Sequence, residues 1–321
     1  MHKTHWFRII TATTWVLCAT PLSAPAFQTP ETVPSSSEFT LSTDVDLVIL
    51  DAAVKEPHGG HVSGLSKEHF RVFDNGKPQT INHFSNVDIP VTVGLVMDNS
   101  GSMGVKRNEV IAAALTLVRA SNPQDEVFVV NFNDSVRRGL PADVLFSDDT
   151  NVLRTALLNG ASEGRTALYD AIAYSLQYLE KGKQDKKTLV VVSDGGDNAS
   201  AIRFPELMRR LQESRATIYT IGIFDEDDAD RNPDVLRKLA GVSGGEYYQL
   251  TQLEEIGTVC RKIAADIRTR YTIAYIPQGA ASKDPVRTIK VTAAEPSHKK
   301  LIVRTRTRYR VPERLSAKEA R

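Results

Sequence analysis

The sequence predicts an α/β protein with a doubly wound, mostly parallel sheet flanked by helices, and a small β module built from the N- and C-terminal flanks. Beyond Pro90, continuous apolar runs alternate with helical patterns, which is typical of parallel strands buried on both faces. On either side of this stretch, shorter β-prone runs are separated by turn residues rather than by helices. With 41% hydrophobic and 25% charged residues, the 321-residue chain can bury such a core.

The first 26 residues have the features of a signal peptide. Lys3 and Arg8 form a short basic start, 9–22 is apolar, and Ala24-Pro25-Ala26 supplies the small residues that precede cleavage. We therefore expect an exported protein, periplasmic or secreted to the cell surface, with no transmembrane segment in the mature chain. The mature chain keeps one cysteine, so no internal disulfide can form.

The overall charge excludes electrostatic attraction to nucleic acid. Forty Lys and Arg face 39 Asp and Glu, which gives a net charge of +1, and removal of the basic leader leaves a charge near zero. We therefore expect no nucleic-acid partner.

Residues 27–38 are rich in Pro, Ser and Thr and predict a flexible linker. An N-terminal β segment, 39–89, follows. In it we expect a strand that ends at Val54, a turn with two exposed histidines (His58 and His61), and a strand over 70–73 that runs into a tight turn at Asp74-Asn75-Gly76.

The central α/β domain is predicted over 90–267. Its parallel strands are expected at 91–97, 127–132, 188–192 and 217–221. Its helices are expected at 109–120, 152–158, 167–180, 205–213, 234–240 and 253–267. Asn232-Pro233 predicts the start of the fifth helix, with Asn as the cap and Pro at the first helical position.

A C-terminal β segment, 268–312, precedes a short tail, 313–321. Strands are expected at 271–276, 287–291 and 301–309. In the last one, four arginines alternate with other residues, which predicts an exposed basic strand face that discourages edge pairing: Arg304, Arg306, Arg308 and Arg310. Because the ends of an α/β domain usually lie close together, we expect 39–89 and 270–312 to fold as one β module.

Oxygen-bearing side chains follow two of the predicted parallel strands. Asp98, Ser100 and Ser102 stand at alternate positions in a Gly-containing loop, and Asp194 follows another strand. Thr166 precedes a helix between them. Loops at the carboxyl ends of strands meet where the strand order reverses, and oxygen donors suit a hard cation.

This pattern closely resembles the metal-ion-dependent adhesion site of von Willebrand factor type A domains. Asp98-Asn99-Ser100-Gly101-Ser102 matches the DxSxS motif of that family, and Thr166 and the Asp194 loop supply its other two parts. The resemblance covers about 88–267. The flanks, with Leu65–Phe70 and Val72–Pro78, resemble the exported "VWFA-related" bacterial proteins that are abundant in acidobacteria.

The resemblance implies how a metal would be held. Ser100 and Ser102 would bind it directly, Thr166 directly or through water, and Asp98 and Asp194 largely through water. Mg²⁺ is the expected ion, with Mn²⁺ or Ca²⁺ as substitutes. Since the direct protein ligands are mostly neutral, the ion would accept an Asp or Glu carboxylate from a protein partner. The resemblance therefore implies an exported adhesion or binding module that breaks no bond.

Two other functions compete with this one. The first is a periplasmic scaffold or assembly subunit that binds by other surfaces. The second is a metal-dependent hydrolase that uses Ser100 or Ser102, but the chain has no G-x-S-x-G elbow and no histidine near these loops in sequence. A subunit of a cytoplasmic ATP-driven assembly is disfavoured by the leader.

Several conspicuous residues have a simpler structural interpretation. Asp170 opens a helix, Asp197 and Asn198 are expected to bond within their own turn, and Cys260 lies on the apolar face of the last helix as a buried thiol. The acidic run 225–230 lacks the glycine and distal Glu of an EF-hand, which favours a solvated loop.

Overall fold

The structure is a computed structural model that describes residues 47–224, 231–250, 252–278, 284–296 and 300–311. The predicted signal peptide (1–26), linker (27–38), acidic run (225–230) and tail (313–321) lie outside the described residues, as does the start of the N-terminal β segment. No helix among the described residues is both long and apolar enough to cross a bilayer.

The described residues form fourteen strands and six α-helices. The strands are β1 (Val48–Lys55), β2 (Phe70–Asp74), β3 (Lys77–Gln79), β4 (Ile81–Ser85), β5 (Val91–Asp98), β6 (Glu126–Phe132), β7 (Val136–Arg138), β8 (Lys186–Ser193), β9 (Thr217–Ile223), β10 (Tyr247–Leu250), β11 (Tyr271–Tyr275), β12 (Val286–Ala293), β13 (Ile302–Arg304) and β14 (Arg308–Arg310). The helices are α1 (Arg107–Arg119), α2 (Thr150–Leu158), α3 (Leu168–Leu179), α4 (Phe204–Glu213), α5 (Pro233–Ser243) and α6 (Ile256–Arg268).

The central sheet has the order β10-β9-β8-β5-β6-β7, and only the short edge strand β7 runs antiparallel to its neighbour. All eight residues of β5 and of β8 are buried, as their uninterrupted apolar runs predict. The chain leaves β5 through α1 to β6 on one side and later returns through α3 to β8 on the other, so the strand order reverses at β5. The predicted doubly wound sheet is confirmed.

Helices cover the sheet in two groups. On one side α1 contacts α2 and α6, and on the other α3 contacts α4, which in turn contacts α5. Right-handed crossovers in opposite directions from β5 require this division. The predicted cap of α5 is confirmed, because the Asn232 side chain accepts a hydrogen bond from Val235 N and Pro233 occupies the first turn.

The flanks form two further four-stranded sheets, in the orders β13-β1-β11-β4 and β14-β12-β2-β3. Each sheet combines strands from both flanks, so the predicted β module is confirmed. The pairs between the flanks are antiparallel, as in β1 with β11 and β2 with β12. Phe70, Phe84 and Tyr271 pack against one another at tilted angles in the core of this module, which is separate from the core of the central domain. The tight turn between β2 and β3 also forms as expected, with Asn75 and Gly76 both at positive φ.

The arginine-rich C-terminal run was wrongly predicted as one strand with an exposed face. It divides into β13 and β14, which belong to different sheets, and Thr305 between them is buried. Arg304 pairs with Glu246, and Arg306 donates to Gln212 O at 2.8 Å. Burial lowers the pKa of Arg306 to about 10. These two arginines therefore connect the C-terminal flank to the central domain, because Gln212 lies near the end of α4 and Glu246 directly precedes β10.

Candidate functional site

The candidate site lies at the carboxyl ends of β5 and β8, the two neighbouring strands between which the sheet order reverses. β5 ends at Asp98, and β8 ends at Ser193, one residue before Asp194. The parallel register pairs Met97 with Val192, which brings Asp98 level with Ser193. Ligands of open α/β sheets bind at such switch points.

The predicted DxSxS residues fold back on themselves and reach the second strand. Ser100 N donates to Asp98 Oδ1 at 2.9 Å, and the Ser100 and Ser102 hydroxyl oxygens lie 3.2 Å apart. Ser102 Oγ donates to Asp194 Oδ2 at 2.7 Å, across 92 residues of sequence. The structure therefore brings four of the five predicted site residues into one hydrogen-bonded cluster.

The loop that carries Thr166 docks beside this cluster. Gly101 N donates to Gly164 O at 3.2 Å, and Glu163 N donates to Asn99 O at 3.0 Å. Gly164 has φ +83°, the left-handed region that favours glycine. The backbone of the third predicted loop is thus bonded directly to the first loop.

Thr166 is held on the other side by Asn198. Thr166 N donates to Asn198 Oδ1 at 2.9 Å, and Asn198 N donates back to Thr166 O at 3.0 Å. The expectation that Asn198 bonds within its own turn was wrong, because the loop after β8 reaches across to the Thr166 loop. Asp197 bonds both within its own loop and outside it. It accepts a hydrogen bond from Ser200 Oγ at 2.5 Å in the same loop and one from Tyr169 N at 3.1 Å in α3.

The cluster is buried with one member facing solvent. Asp98, Ser100, Asp194 and Thr166 are all less than a tenth exposed, whereas Ser102 is half-buried. Burial raises the pKa of Asp98 to about 7, and the negative charge of Asp194 adds to this effect against hydrogen bonds from Ser100 and Ser193. Two carboxylates that repel each other in a buried site form a favourable environment for a cation.

The donor set fits a hard divalent ion. Across the described ranges, no group of three His, Cys, Asp or Glu side chains is placed to hold a metal. A cation at this site would therefore depend on the hydroxyls of Ser100, Ser102 and Thr166 beside the carboxylates of Asp98 and Asp194. Such an all-oxygen mixture of neutral and anionic groups suits Mg²⁺ and excludes metals that prefer sulfur or nitrogen ligands.

Two residues that position this cluster were missed from sequence. Ser193 Oγ donates to Asp98 Oδ2 at 2.6 Å and accepts from Gly195 N at 3.0 Å, so it links the two acidic loops. The parallel register of β5 and β8 could have identified it, because Ser193 comes level with Asp98. The second residue is Asn198. Its contact with Thr166 could not be predicted, because Thr166 lies in a loop whose position no strand register fixes.

Gly195 determines how the chain leaves Asp194. Its φ is +81°, and a Cβ built there would lie 2.3 Å from the carbonyl oxygen of Asn232. Asn232 N in turn donates to Asp194 O at 3.0 Å. The start of α5 therefore packs directly against the second acidic loop, at a distance that only glycine permits.

The structure also tests three other interpretations of the sequence, which concern Asp170, Cys260 and the two histidines of the first turn. Asp170 is structural, as expected, because its carboxylate accepts from Ala201 N at 2.8 Å and Ile202 N at 3.1 Å. Cys260 is buried and burial raises its pKa to about 12, as expected for a core thiol. The expectation of two exposed histidines was half wrong: His58 is exposed, but His61 is partly buried beside Thr269 and Asp266.

Comparisons with known proteins agree with this architecture. The family model of the von Willebrand factor type A domain matches residues 92–262. A solved von Willebrand factor type A structure from Catenulispora acidiphila superposes with a TM-score of 0.50 at 14% identity, covering 76% of this chain and 74% of that one. This structural likeness concerns the fold alone.

Two curated relatives match parts of the sequence. Uncharacterized protein sll0103 of Synechocystis sp. is 27% identical over 182 residues, covering 52% of this chain and 39% of that protein. Human inter-alpha-trypsin inhibitor heavy chain H2 is 22% identical over 244 residues, covering 71% of this chain and 24% of that protein. The chain thus spans well under half the length of the curated relatives it matches.

Proposed function

We propose that this chain, which belongs to the von Willebrand factor type A domain family, is an exported binding module that engages an acidic residue of a protein partner through a divalent metal ion. The hydrogen bond from Ser102 to Asp194 carries the proposal, because it joins the two loops at the switch point into one cluster of oxygens. Family membership supports a protein-interaction role in general, and the metal and the acidic partner are the specific part of the proposal.

The residues of the candidate site would have three roles: binding the metal, balancing its charge and positioning the ligands. Ser100, Ser102 and Thr166 would hold Mg²⁺ through their hydroxyls, and Asp98 and Asp194 would balance its charge. The bound ion would supply a Lewis-acidic position for a partner carboxylate. Ser102 is the partly exposed member of this set, so a partner side chain would approach from that side. Ser193 and Asn198 would keep Asp98 and Thr166 in place through the hydrogen bonds described above.

The arrangement of the serines favours binding over catalysis. In the described part of the chain, the Ser100 and Ser102 hydroxyls bond to each other, Ser102 donates to Asp194, and neither serine donates a hydrogen bond to a histidine. A serine nucleophile needs an adjacent general base that removes its proton. Asp194 accepts a hydrogen bond from Ser102, but its role in the proposed site is to balance the charge of a cation.

Calorimetric titration of the EDTA-stripped chain with Mg²⁺ and Mn²⁺ tests the metal site. We expect one saturable site in the wild type, loss of that site in Ser100→Ala/Ser102→Ala, and an unchanged site in Ser63→Ala/Ser135→Ala, where both serines are exposed and lie outside the cluster. Equal titration curves for the two double variants would contradict the proposal.

The acidic partner is tested with a minimal carboxylate. Bound Mn²⁺ relaxes solvent protons through its coordinated water, and a carboxylate that replaces this water lowers the effect. We expect saturable loss of relaxation with N-acetyl-glutamate amide and none with N-acetyl-glutamine amide. The same response to both compounds would show that the site does not select a carboxylate.

A further inference from the structure

A cavity of about 670 Å³ lies at the opposite end of the central sheet from the candidate metal site. Its walls come from the end of β1 and the turn after it, the start of β10, one face of α6 and the strand β13. It therefore opens between the central domain and the β module. Cavities of about 300–1,000 Å³ are typical of small-molecule sites.

The floor of the cavity is a buried ionic cluster. Lys55 is 8% exposed, and its Nζ lies 2.6 Å from Glu246 Oε2 and 3.0 Å from Asp266 Oδ1. Arg304 also pairs with Glu246. Lys55 and Arg304 are held in position by their carboxylate partners, so the base of the cavity is polar and its charges are paired.

The walls add two cations from α6 to the paired charges of the base. Among the described lining residues, four are strong cations and two are carboxylates. Arg261 and Lys262 of α6 are exposed, and neither forms an ion pair with a described residue. Among the described residues, Arg261 makes only a 3.0 Å hydrogen bond to Thr258 Oγ1 of its own helix. An anionic group between these two side chains would meet uncompensated charge.

Apolar surface lies beside this charge. Pro57, Tyr248 and Ile302 line the same cavity, and Ile302 is 37% exposed. Tyr248 is oriented by its hydroxyl, which donates to Glu246 Oε2 at 2.9 Å. Apolar walls with a few charged groups are the usual composition of a site for a small organic ligand.

We propose that this cavity binds a small organic anion. Its carboxylate or phosphate group would lie at Arg261 and Lys262, and its apolar body would pack against Tyr248 and Ile302. The proposal is independent of the metal site, because no residue of the cavity belongs to the switch-point cluster.

The test uses the full chain in EDTA, so that no anion can bind through a metal. Phenyl phosphate and benzoate share one apolar ring and differ in the anionic group, so their relative affinities distinguish a phosphate site from a carboxylate site. Benzamide is the neutral control. Binding is followed by NMR through the ring protons of His58 and His61, which line the cavity, assigned with His58→Gln and His61→Gln.

We expect saturable shifts of these histidine signals with at least one anion at concentrations up to about 10 mM, which detects a Kd of about 1 mM. Arg261→Gln/Lys262→Gln should weaken binding at least tenfold. Arg237→Gln/Lys238→Gln removes an exposed Arg-Lys pair of α5 that does not line the cavity, and should leave binding unchanged. Absence of saturation with both anions, equal binding of benzamide, or equal loss in the two double variants would overturn the proposal.

Discussion

Gly195 links backbone conformation to the geometry of the candidate site. At φ +81°, alanine carries a left-handed strain of roughly 1–2 kcal/mol, and its Cβ would collide with Asn232 O. We expect Gly195→Ala to lower the free energy of unfolding by roughly 3 kcal/mol or more. It should also weaken Mg²⁺ binding, because the collision displaces the Asp194 loop. Urea unfolding and calorimetry measure the two effects.

Gly59→Ala is the matched control for that substitution. Gly59 has φ +99°, but nothing lies within 4 Å of a Cβ built there. It should therefore show the conformational strain alone and keep full metal affinity. If the two variants lost the same stability, the close approach of α5 to the Asp194 loop would have no energetic importance.

The last helix, α6, is joined to the rest of the molecule through a buried carboxylate. Asp266 is 1% exposed, lies 3.0 Å from Lys55 Nζ and 3.5 Å from Arg270 Nη1, and accepts a hydrogen bond from Tyr219. Burial raises its pKa, but the charges of Arg270 and Lys55 outweigh that effect and lower it. Lys55 belongs to β1, so this one residue connects α6 to the β module.

We expect Asp266→Asn to destabilise the protein by about 3–5 kcal/mol, because it leaves two buried cations without their shared carboxylate. Asp234→Asn breaks the exposed pair with Arg237 on α5 and should cost at most about 0.5 kcal/mol. Thermal or urea unfolding of the two variants compares them directly. A small loss for Asp266→Asn would mean that the other members of the cluster compensate each other.

Elements buried on both faces could be predicted from sequence, and short edge elements could not. The runs at 91–97 and 188–192 became β5 and β8, in which every residue is buried. β7 and β14 have three residues each, too few for any period. The last helix was placed three residues early, since Leu253–Glu255 forms a separate 3₁₀ turn before α6. The division of the arginine-rich run depends on contacts with Glu246 and Gln212, which local sequence does not encode.

At the scale of the whole molecule, ion pairs between the flanks and the central domain predict sensitivity to acid. Burial raises the pKa of Glu246, but hydrogen bonds from Arg304 and Lys55 outweigh it, and the pKa falls to about 2. The folded state therefore binds this proton more weakly than the unfolded chain. The stabilisation from Glu246 is complete above about pH 4.5 and is lost as the pH falls towards 2.

Urea unfolding at pH 6 and pH 3.5 tests this linkage. The wild type should lose more stability between the two pH values than Glu246→Gln, which has no carboxylate to protonate at that position. Glu254→Gln, at an exposed position before α6, should behave as the wild type. An identical pH dependence for the wild type and Glu246→Gln would exclude Glu246 as a source of acid sensitivity.

The candidate site was predictable from sequence to the extent that it follows from strand ends. Asp98 and Asp194 follow buried strands, and a parallel sheet brings such ends together. The support of the site was not predictable in the same way, because Asn198 and Gly195 act through loop contacts with Thr166 and Asn232. The site residues thus carry a motif, whereas the residues that position them are visible only in three dimensions.

The pairing of β1 has a consequence for the order of folding. This strand lies between β11 and β13, and its residue Ile49 pairs with Ala274. Bringing Ile49 and Ala274 together in an unfolded chain closes a very long loop, which is entropically costly and slow. A folded central domain holds its two ends close together and shortens the loop to be closed. We therefore expect the central domain to fold first. β1 should pair with β11 and β13 only after that domain has folded.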